Sequence, residues 1–428
     1  MSKSFFFYNF YHLSYMIKNL NPEQKKLLKV LLNTKQNLFI TGAAGSGKSY
    51  VIKLFREVKK ISGDHIPMVA STGVASLLVN GVTFNSYFGL GIMAGGLDTT
   101  IKNAINNRSV CERIVYTDTI IIDEISMISA TTFQAANLLC QRVRNNKKFF
   151  GGIRVIAVGD FLQLGPYSDT PKIDWVFEGK DWKSGKLKNI QLKKVMRTKD
   201  KKFLDVLAKV RIGKVDASVK KFLNQHLVKG KFDDPTCPRI YSRNHQVDSY
   251  NLQKLAEIKT PVLTFQTQYV GEKAAVDKMK DNLVIPETIQ IKIGSLVMMR
   301  VNNFQDGFVN GTIGTVVGIQ QELLTIRTVA GKNITVKKHI FESLNGSGEI
   351  VAKARNFPLI LAWAITIQKC QGVSIDKALI SLDRLWLHGQ AYTALSRLSK
   401  AQGLHLSCWD KSSFIVDKKV LKYYKLRK

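Results

Sequence analysis

The chain has 428 residues, 45% of them hydrophobic, which is enough for two or more cored domains and predicts a soluble, folded protein. Its formal net charge of +32, from 64 Lys and Arg against 32 Asp and Glu, exceeds what solubility requires and points to a polyanionic partner, without separating DNA, RNA and acidic membranes. Cys111, Cys140, Cys237, Cys370 and Cys408 form no CxxC pair and the histidines show no ligand spacing, so a structural zinc is excluded and an intracellular, reducing compartment is expected. The apolar stretch Phe357 to Ile365 is too short to span a bilayer, so no membrane anchor is expected.

Residues 1–19 read as an N-terminal extension with an aromatic start, and Asn21-Pro22-Glu23 reads as a helix start. Leu38 to Thr41 is an apolar strand, and Tyr50 to Lys60 has helical periodicity. Between them stands Gly42-Ala43-Ala44-Gly45-Ser46-Gly47-Lys48-Ser49, a GxxxxGK[ST] phosphate loop in the strand-to-helix context that the motif requires. Small residues let successive backbone N–H groups wrap the phosphates of ATP, Lys48 meets the β and γ oxygens, and the Ser49 hydroxyl binds Mg2+.

Met68 to Ser71 is a further strand. Thr119 to Asp123 is another, and its apolar run Ile120-Ile121-Ile122 ends in Asp123-Glu124. After a phosphate loop, such a pair reads as a second nucleotide motif: Asp123 holds Mg2+ through water and Glu124 polarises the attacking water. Val155 to Gly159 is the next strand, with Gln163 in the polar turn beyond it. The alternation of strands and helices predicts a parallel-sheet α/β domain.

From Lys180 to Lys214 there are thirteen basic and three acidic residues, a candidate phosphate-facing surface. Ser295 to Val301, Thr312 to Ile319, Leu323 to Val329 and Asn333 to Lys337 are short strands broken by Asn310-Gly311 and Ala330-Gly331-Lys332, which suggests a small antiparallel barrel. Leu359 to Ala364, Ala378 to Leu382 and Leu404 to Ser407 predict a second α/β domain into which that barrel is inserted. The stretch from Lys411 to Lys428 carries seven basic residues and one acidic.

These residues resemble superfamily 1 helicases, specifically the Pif-type (petite integration frequency) DNA helicases of the 5'-to-3' branch, from about Leu20 to Trp409. Leu20 to Gln24 resembles the Q motif, which implies that Gln24 contacts adenine. Ala70 to Ala75 with Thr83 to Tyr87 resembles the single-strand-binding motif Ia and its sequel, Asn85 standing where relatives carry His. The segment from Ser126 through Phe150-Gly151-Gly152-Ile153 to Leu164 is the most discriminating for this branch, and there the resemblance implies that Gln163 reaches the γ-phosphate. Leu192 to Arg197, Tyr241 to Asn251, Ala362 to Gly372 and Tyr392 to Arg397 resemble motif IV, the next segment, motif V and motif VI, with Gln368 replacing the common His of motif V.

The resemblance implies two RecA-like motor domains with parallel sheets, a small 1B wedge and an SH3-like β-barrel insertion (2B). Domain 1A would span 20–185 with the wedge at about 84–115, 2A would span 186–262 and 352–412, 2B would span 263–351, and 413–428 would be a basic tail. It further implies ATP contacts by Gln24, the loop from Gly42 to Ser49 and Gly372, and chemistry by Lys48, Asp123, Glu124, Gln163, Arg197 and Arg397. Arg197 and Arg397 would be two guanidinium groups of the second motor domain that close on the γ-phosphate. Thr72, Asn85, Thr366 and Lys369 are the candidates for contacting single-stranded DNA. The implied protein is a monomeric helicase acting on single-stranded and forked DNA in replication, repair or recombination. A relative of the exonuclease V alpha subunit, a phage replication helicase, or an ATPase that remodels nucleic acid without unwinding it are the alternatives. No cluster of carboxylates suggests cleavage activity.

Overall fold

The computed structural model describes residues 17–64, 66–71, 82–91, 93, 95–167, 172–303, 305–344 and 350–425. The chain divides into two compact units, one of Met1–Phe161 and Gly165–Thr198, the other of Leu162–Leu164 and Lys199–Lys428.

In the first unit, β1 (Leu38–Gly42), β2 (Met68–Ala70), β3 (Val82–Thr83), β4 (Thr119–Asp123), β5 (Arg154–Val158) and β6 (Lys188–Leu192) form one sheet in the order β3-β2-β4-β5-β1-β6. All five pairings are parallel. Leu38, Ile40, Ile121, Ile156 and Val158 are buried in a core with Leu27 and Leu31 of helix Pro22–Asn33 and Val51, Ile52 and Phe55 of helix Lys48–Ile61. Such apolar runs suit strands covered on both faces. The wedge expected at about 84–115 contains the short helices Phe84–Tyr87, Gly96–Ile105 and Arg108–Val115.

Strand β6 departs from the expected boundary at 185/186. It pairs with β1 along Leu38↔Lys188 to Gly42↔Leu192, so the first unit runs to Thr198 and includes Arg197. Its Lys-Asn-Ile-Gln-Leu sequence hides it, because an edge strand with solvent on one side needs no continuous apolar run.

The second unit contains β7 (Arg239–Tyr241), β8 (Leu263–Gln266), β9 (Gln268–Gly271), β10 (Thr288–Ile291), β11 (Leu296–Met299), β12 (Ile313–Gln320) and β13 (Leu323–Thr328). It continues with β14 (Asn333–Lys337), β15 (His339–Leu344), β16 (Ile350–Asn356), β17 (Leu359–Leu361), β18 (Ala364–Thr366), β19 (Ala378–Leu382) and β20 (Leu404–Trp409). A parallel sheet has the order β18-β7-β19-β20. The strands of the expected barrel appear as β11 to β14 in an antiparallel sheet β14-β13-β12-β11-β17, accompanied by the sheets β15-β16-β9 and β10-β8.

Leu359 to Ala364, expected as one strand of the second α/β domain, is two. β17 pairs antiparallel with β11, whereas β18 joins the parallel sheet beside β7. Both halves are apolar, β18 being fully buried and β17 half-buried beyond Leu359, so composition alone conceals the crossing at Ala362-Trp363. Among the described residues no helix is long and apolar enough to cross a membrane.

Candidate nucleotide and nucleic-acid site

The phosphate loop leaves β1 at Gly42 and enters helix Lys48–Ile61 through Gly47, which takes φ 84° and gives the helix no side-chain cap. First-turn N–H groups without a side-chain cap, at the positive end of the helix dipole, are an anion site. Gly45 also has positive φ, 76°, and a Cβ there would come within 2.5 Å of the Arg197 Cβ. The Lys48 ammonium folds over the loop, donating to the carbonyls of Gly42 at 2.8 Å and Ala43 at 3.4 Å. Ser49 lies exposed in the first helical turn, and the Ser46 hydroxyl is buried without a hydrogen-bond partner among the described residues.

Gln24 braces this loop from behind. Asn21 and Gln24 form a reciprocal capping box at the start of helix Pro22–Asn33, and the Gln24 Nε2 donates to the Ser46 carbonyl at 3.3 Å. The Glu23 carboxylate accepts from the N–H groups of Lys193 and Lys194, at 2.9 and 3.2 Å. The Met196 N–H then donates to the Gly45 carbonyl at 2.7 Å. The segment after β6 is thereby laid against the loop and carries Arg197 with it. The expectation that Arg197 comes from the second motor domain is corrected: it reaches the loop from within the same unit. No motif assigns Glu23 this role, and its place in the first turn of a capped helix is the one signal of it in the sequence.

Asp123 ends β4 almost fully buried, its Oδ1 accepting the Glu124 N–H at 2.9 Å. Burial pushes its carboxyl up to about 7, the adjacent Glu124 charge adds to this, and the Glu124 N–H and Lys48 oppose it. Glu124 takes φ 49° and ψ 43°, a left-handed conformation uncommon for a residue with a side chain. That turn separates two consecutive carboxylates, leaving Glu124 half-exposed while Asp123 is buried. The Asp123 carboxyl and the exposed Ser49 hydroxyl are oxygen donors of the kind that Mg2+ takes, and Glu124, next to Asp123 in the chain, is a carboxylate partly open to solvent.

The remaining candidates belong mostly to the second unit. Thr366 ends β18 buried, its hydroxyl accepting the Lys369 N–H at 3.3 Å, so it shapes the turn from 366 to 372. Lys369 is half-buried and forms no ion pair among the described residues. Gly372 has φ 78° in the same turn. Arg397 is fully buried; it donates to the carbonyls of Thr393 at 2.8 Å and Cys370 at 3.4 Å, and its Nη2 lies 3.5 Å from the Gln163 Oε1. Gln163 belongs to Leu162–Leu164, the three residues that join this unit. In the first unit, Asn85 is exposed and donates to the Gly91 carbonyl at 2.9 Å. Thr72 lies outside the described residues.

A cavity of about 710 Å³ also opens in the second unit, walled in part by Arg239, Tyr250, Lys254 and Trp363. Arg239 begins β7 and Trp363 immediately precedes β18, at the end of these strands opposite Thr366, and none of the candidate residues lines the cavity.

Residues 19–221 match the model of the PIF1-like helicase family. The chain is 42% identical over 406 residues to the ATP-dependent DNA helicase Pif1 of Bdellovibrio bacteriovorus, covering 95% of this chain and 92% of that protein. It belongs to the Pif1-like helicase family. The human ATP-dependent DNA helicase PIF1 is 32% identical over 95% of this chain, which spans 63% of that longer protein. The crystal structure of Pif1 helicase from Candida albicans superposes with a TM-score of 0.79 at 29% identity, covering 96% of this chain and 99% of that one. The Bacteroides Pif1 structure in complex with ADP-AlF4 has a TM-score of 0.82 at 24% identity over 95% and 96%, a likeness of fold. Pif1-like membership agrees with the phosphate loop, the acidic strand end and the two-unit α/β architecture.

Proposed function

We propose that this chain is an ATP-dependent DNA helicase that moves 5'-to-3' on single-stranded DNA and separates the duplex at forks, in replication, repair or recombination. The observation that supports the reading is the phosphate loop of the first unit, with Lys48 folded over it, Arg197 beside Gly45 and the acids Asp123 and Glu124 at the end of β4, in a Pif1-like chain.

In that site the loop N–H groups and Lys48 would hold the β- and γ-phosphates, Gln24 would support the loop beside the adenine, and Ser49 and Asp123 would hold Mg2+. The metal supplies charge neutralisation at the phosphate oxygens. Glu124 would take the proton of a water whose oxygen attacks the γ-phosphorus as the bond to the β–γ bridging oxygen breaks and ADP leaves. Arg197 would meet charge developing on the γ-phosphoryl group from beside Gly45. Arg397 and Gln163 are assigned to sensing the γ-phosphate, Gly372 to the nucleotide, and Thr72, Asn85, Thr366 and Lys369 to the strand.

A monomer is the proposed working unit. Five free cysteines support an intracellular, reducing compartment.

The test is strand displacement from duplexes bearing either a 5' or a 3' single-stranded tail, with ATP and Mg2+, for wild type and Lys48→Ala. Unwinding of the 5'-tailed substrate alone, abolished in the variant, is expected. Unwinding of only the 3'-tailed substrate would overturn the polarity. ATP hydrolysis without displacement would favour a remodelling ATPase, and full activity of Lys48→Ala would overturn the site.

A further inference from the structure

Arg300 follows β11 in the inserted antiparallel sheet and is 2% exposed. It has no carboxylate partner among the described residues, and its Nε is buried without a hydrogen bond. Burial lowers its pKa to about 10, and only the neighbouring Cys370 thiol opposes this. An interior guanidinium without an anion is costly.

Among the described residues the side chain of Arg300 has one hydrogen-bond partner: Nη1 donates to the carbonyl of Lys369 at 3.5 Å. The next carbonyl, that of Cys370, accepts from Arg397 at 3.4 Å. Two buried arginines thus hold consecutive peptide groups of the turn from 366 to 372, one from the inserted sheet and one from the segment after β19. Both contacts are long beside the ordinary ~2.9 Å. Lys369 is itself under electrostatic pressure: burial lowers its pKa, Asp248 opposes this, and the Arg300 charge adds to the lowering.

We propose that Arg300 is a positioning residue that couples strand occupancy at Lys369 to Arg397. The inference rests on the helicase reading above. A backbone phosphate of the strand at Lys369 would offset the repulsion between the two cations, allowing Arg300 to draw closer to the Lys369 carbonyl. The shift would pass through the adjoining peptide to the Cys370 carbonyl and so to the Arg397 guanidinium.

The experiment compares wild type, Arg300→Met and Arg300→Lys for thermal midpoint and for ATP hydrolysis with and without a single-stranded oligonucleotide. Arg300→Met is expected to melt at or above the wild-type temperature, because an unpaired buried charge is gone. Its ratio of DNA-stimulated to basal kcat is expected to fall about tenfold, with little change in the DNA concentration giving half-stimulation. Arg300→Lys, which restores the charge without the planar fork, is expected to recover part of the ratio. Undiminished stimulation in Arg300→Met overturns the proposal. So does a parallel loss of thermal midpoint and both rates that Arg300→Lys does not repair, since that marks a purely structural role. If the wild type shows no stimulation, the helicase reading fails and this inference with it.

Discussion

The backbone N–H of Met196 donates to the carbonyl of Gly45 at 2.7 Å, and this bond places Arg197 against the phosphate loop. The segment from Leu192 to Arg197 is consequently part of the unit that carries the phosphate loop, anchored by the β6 pairing and by Glu23.

Gly45→Ala should separate those two segments. The added methyl meets the Arg197 Cβ at 2.5 Å and must also adopt φ 76°, so a destabilisation of about 1–3 kcal/mol is expected. Thermal unfolding measures it, and ATP hydrolysis should fall by about tenfold or more through displacement of Arg197.

Glu124→Gln keeps the shape of the side chain and removes the base. Hydrolysis is expected to fall by about 10²–10⁴-fold while binding of a fluorescent ATP analogue is retained. Single-turnover assays separate the two effects; equal loss of binding and hydrolysis would argue against this role for Glu124.

Asp123 makes stability depend on pH in a definite direction. Its folded carboxyl titrates at about 7, above the ordinary 3.8, so the folded state holds the proton more tightly. Its contribution is full below about pH 4 and is lost as pH rises through about 7. In metal-free buffer, the thermal midpoint of wild type minus that of Asp123→Asn should decline across that window. Mg2+ should reduce the decline, and its uptake near pH 6 should release protons.

Affinity for single-stranded DNA should fall steeply with salt, given the net charge of +32. Lys369→Ala should reduce the slope of log K against log salt by about 0.7, the amount expected for one lost phosphate contact on a single strand. Filter binding over a range of salt concentrations measures this, and an unchanged slope would remove Lys369 from the strand path.

The phosphate loop and the acids at Asp123-Glu124 were legible in the sequence because their chemistry is local. A tight glycine turn, a lysine and a hydroxyl must be neighbours in the chain to wrap one phosphate, and an apolar strand must end where its carboxylates emerge. Strands β1, β2, β4 and β5 were legible for a related reason: burial on both faces requires continuous apolar runs.

What only the tertiary structure decided are relationships between residues far apart in the chain. Polar β6 becomes a strand because β1 offers it an open edge, and that pairing assigns Arg197 to the first unit. One apolar run, Leu359 to Ala364, serves two sheets because their edges lie on either side of it. Arg300 is a basic residue among many in a chain of net charge +32, until folding removes its solvent, supplies no anion and leaves it the carbonyl of Lys369. Sequence determines which groups are available and which must be adjacent, whereas the loss of water and the choice of distant partners arise only when the chain packs.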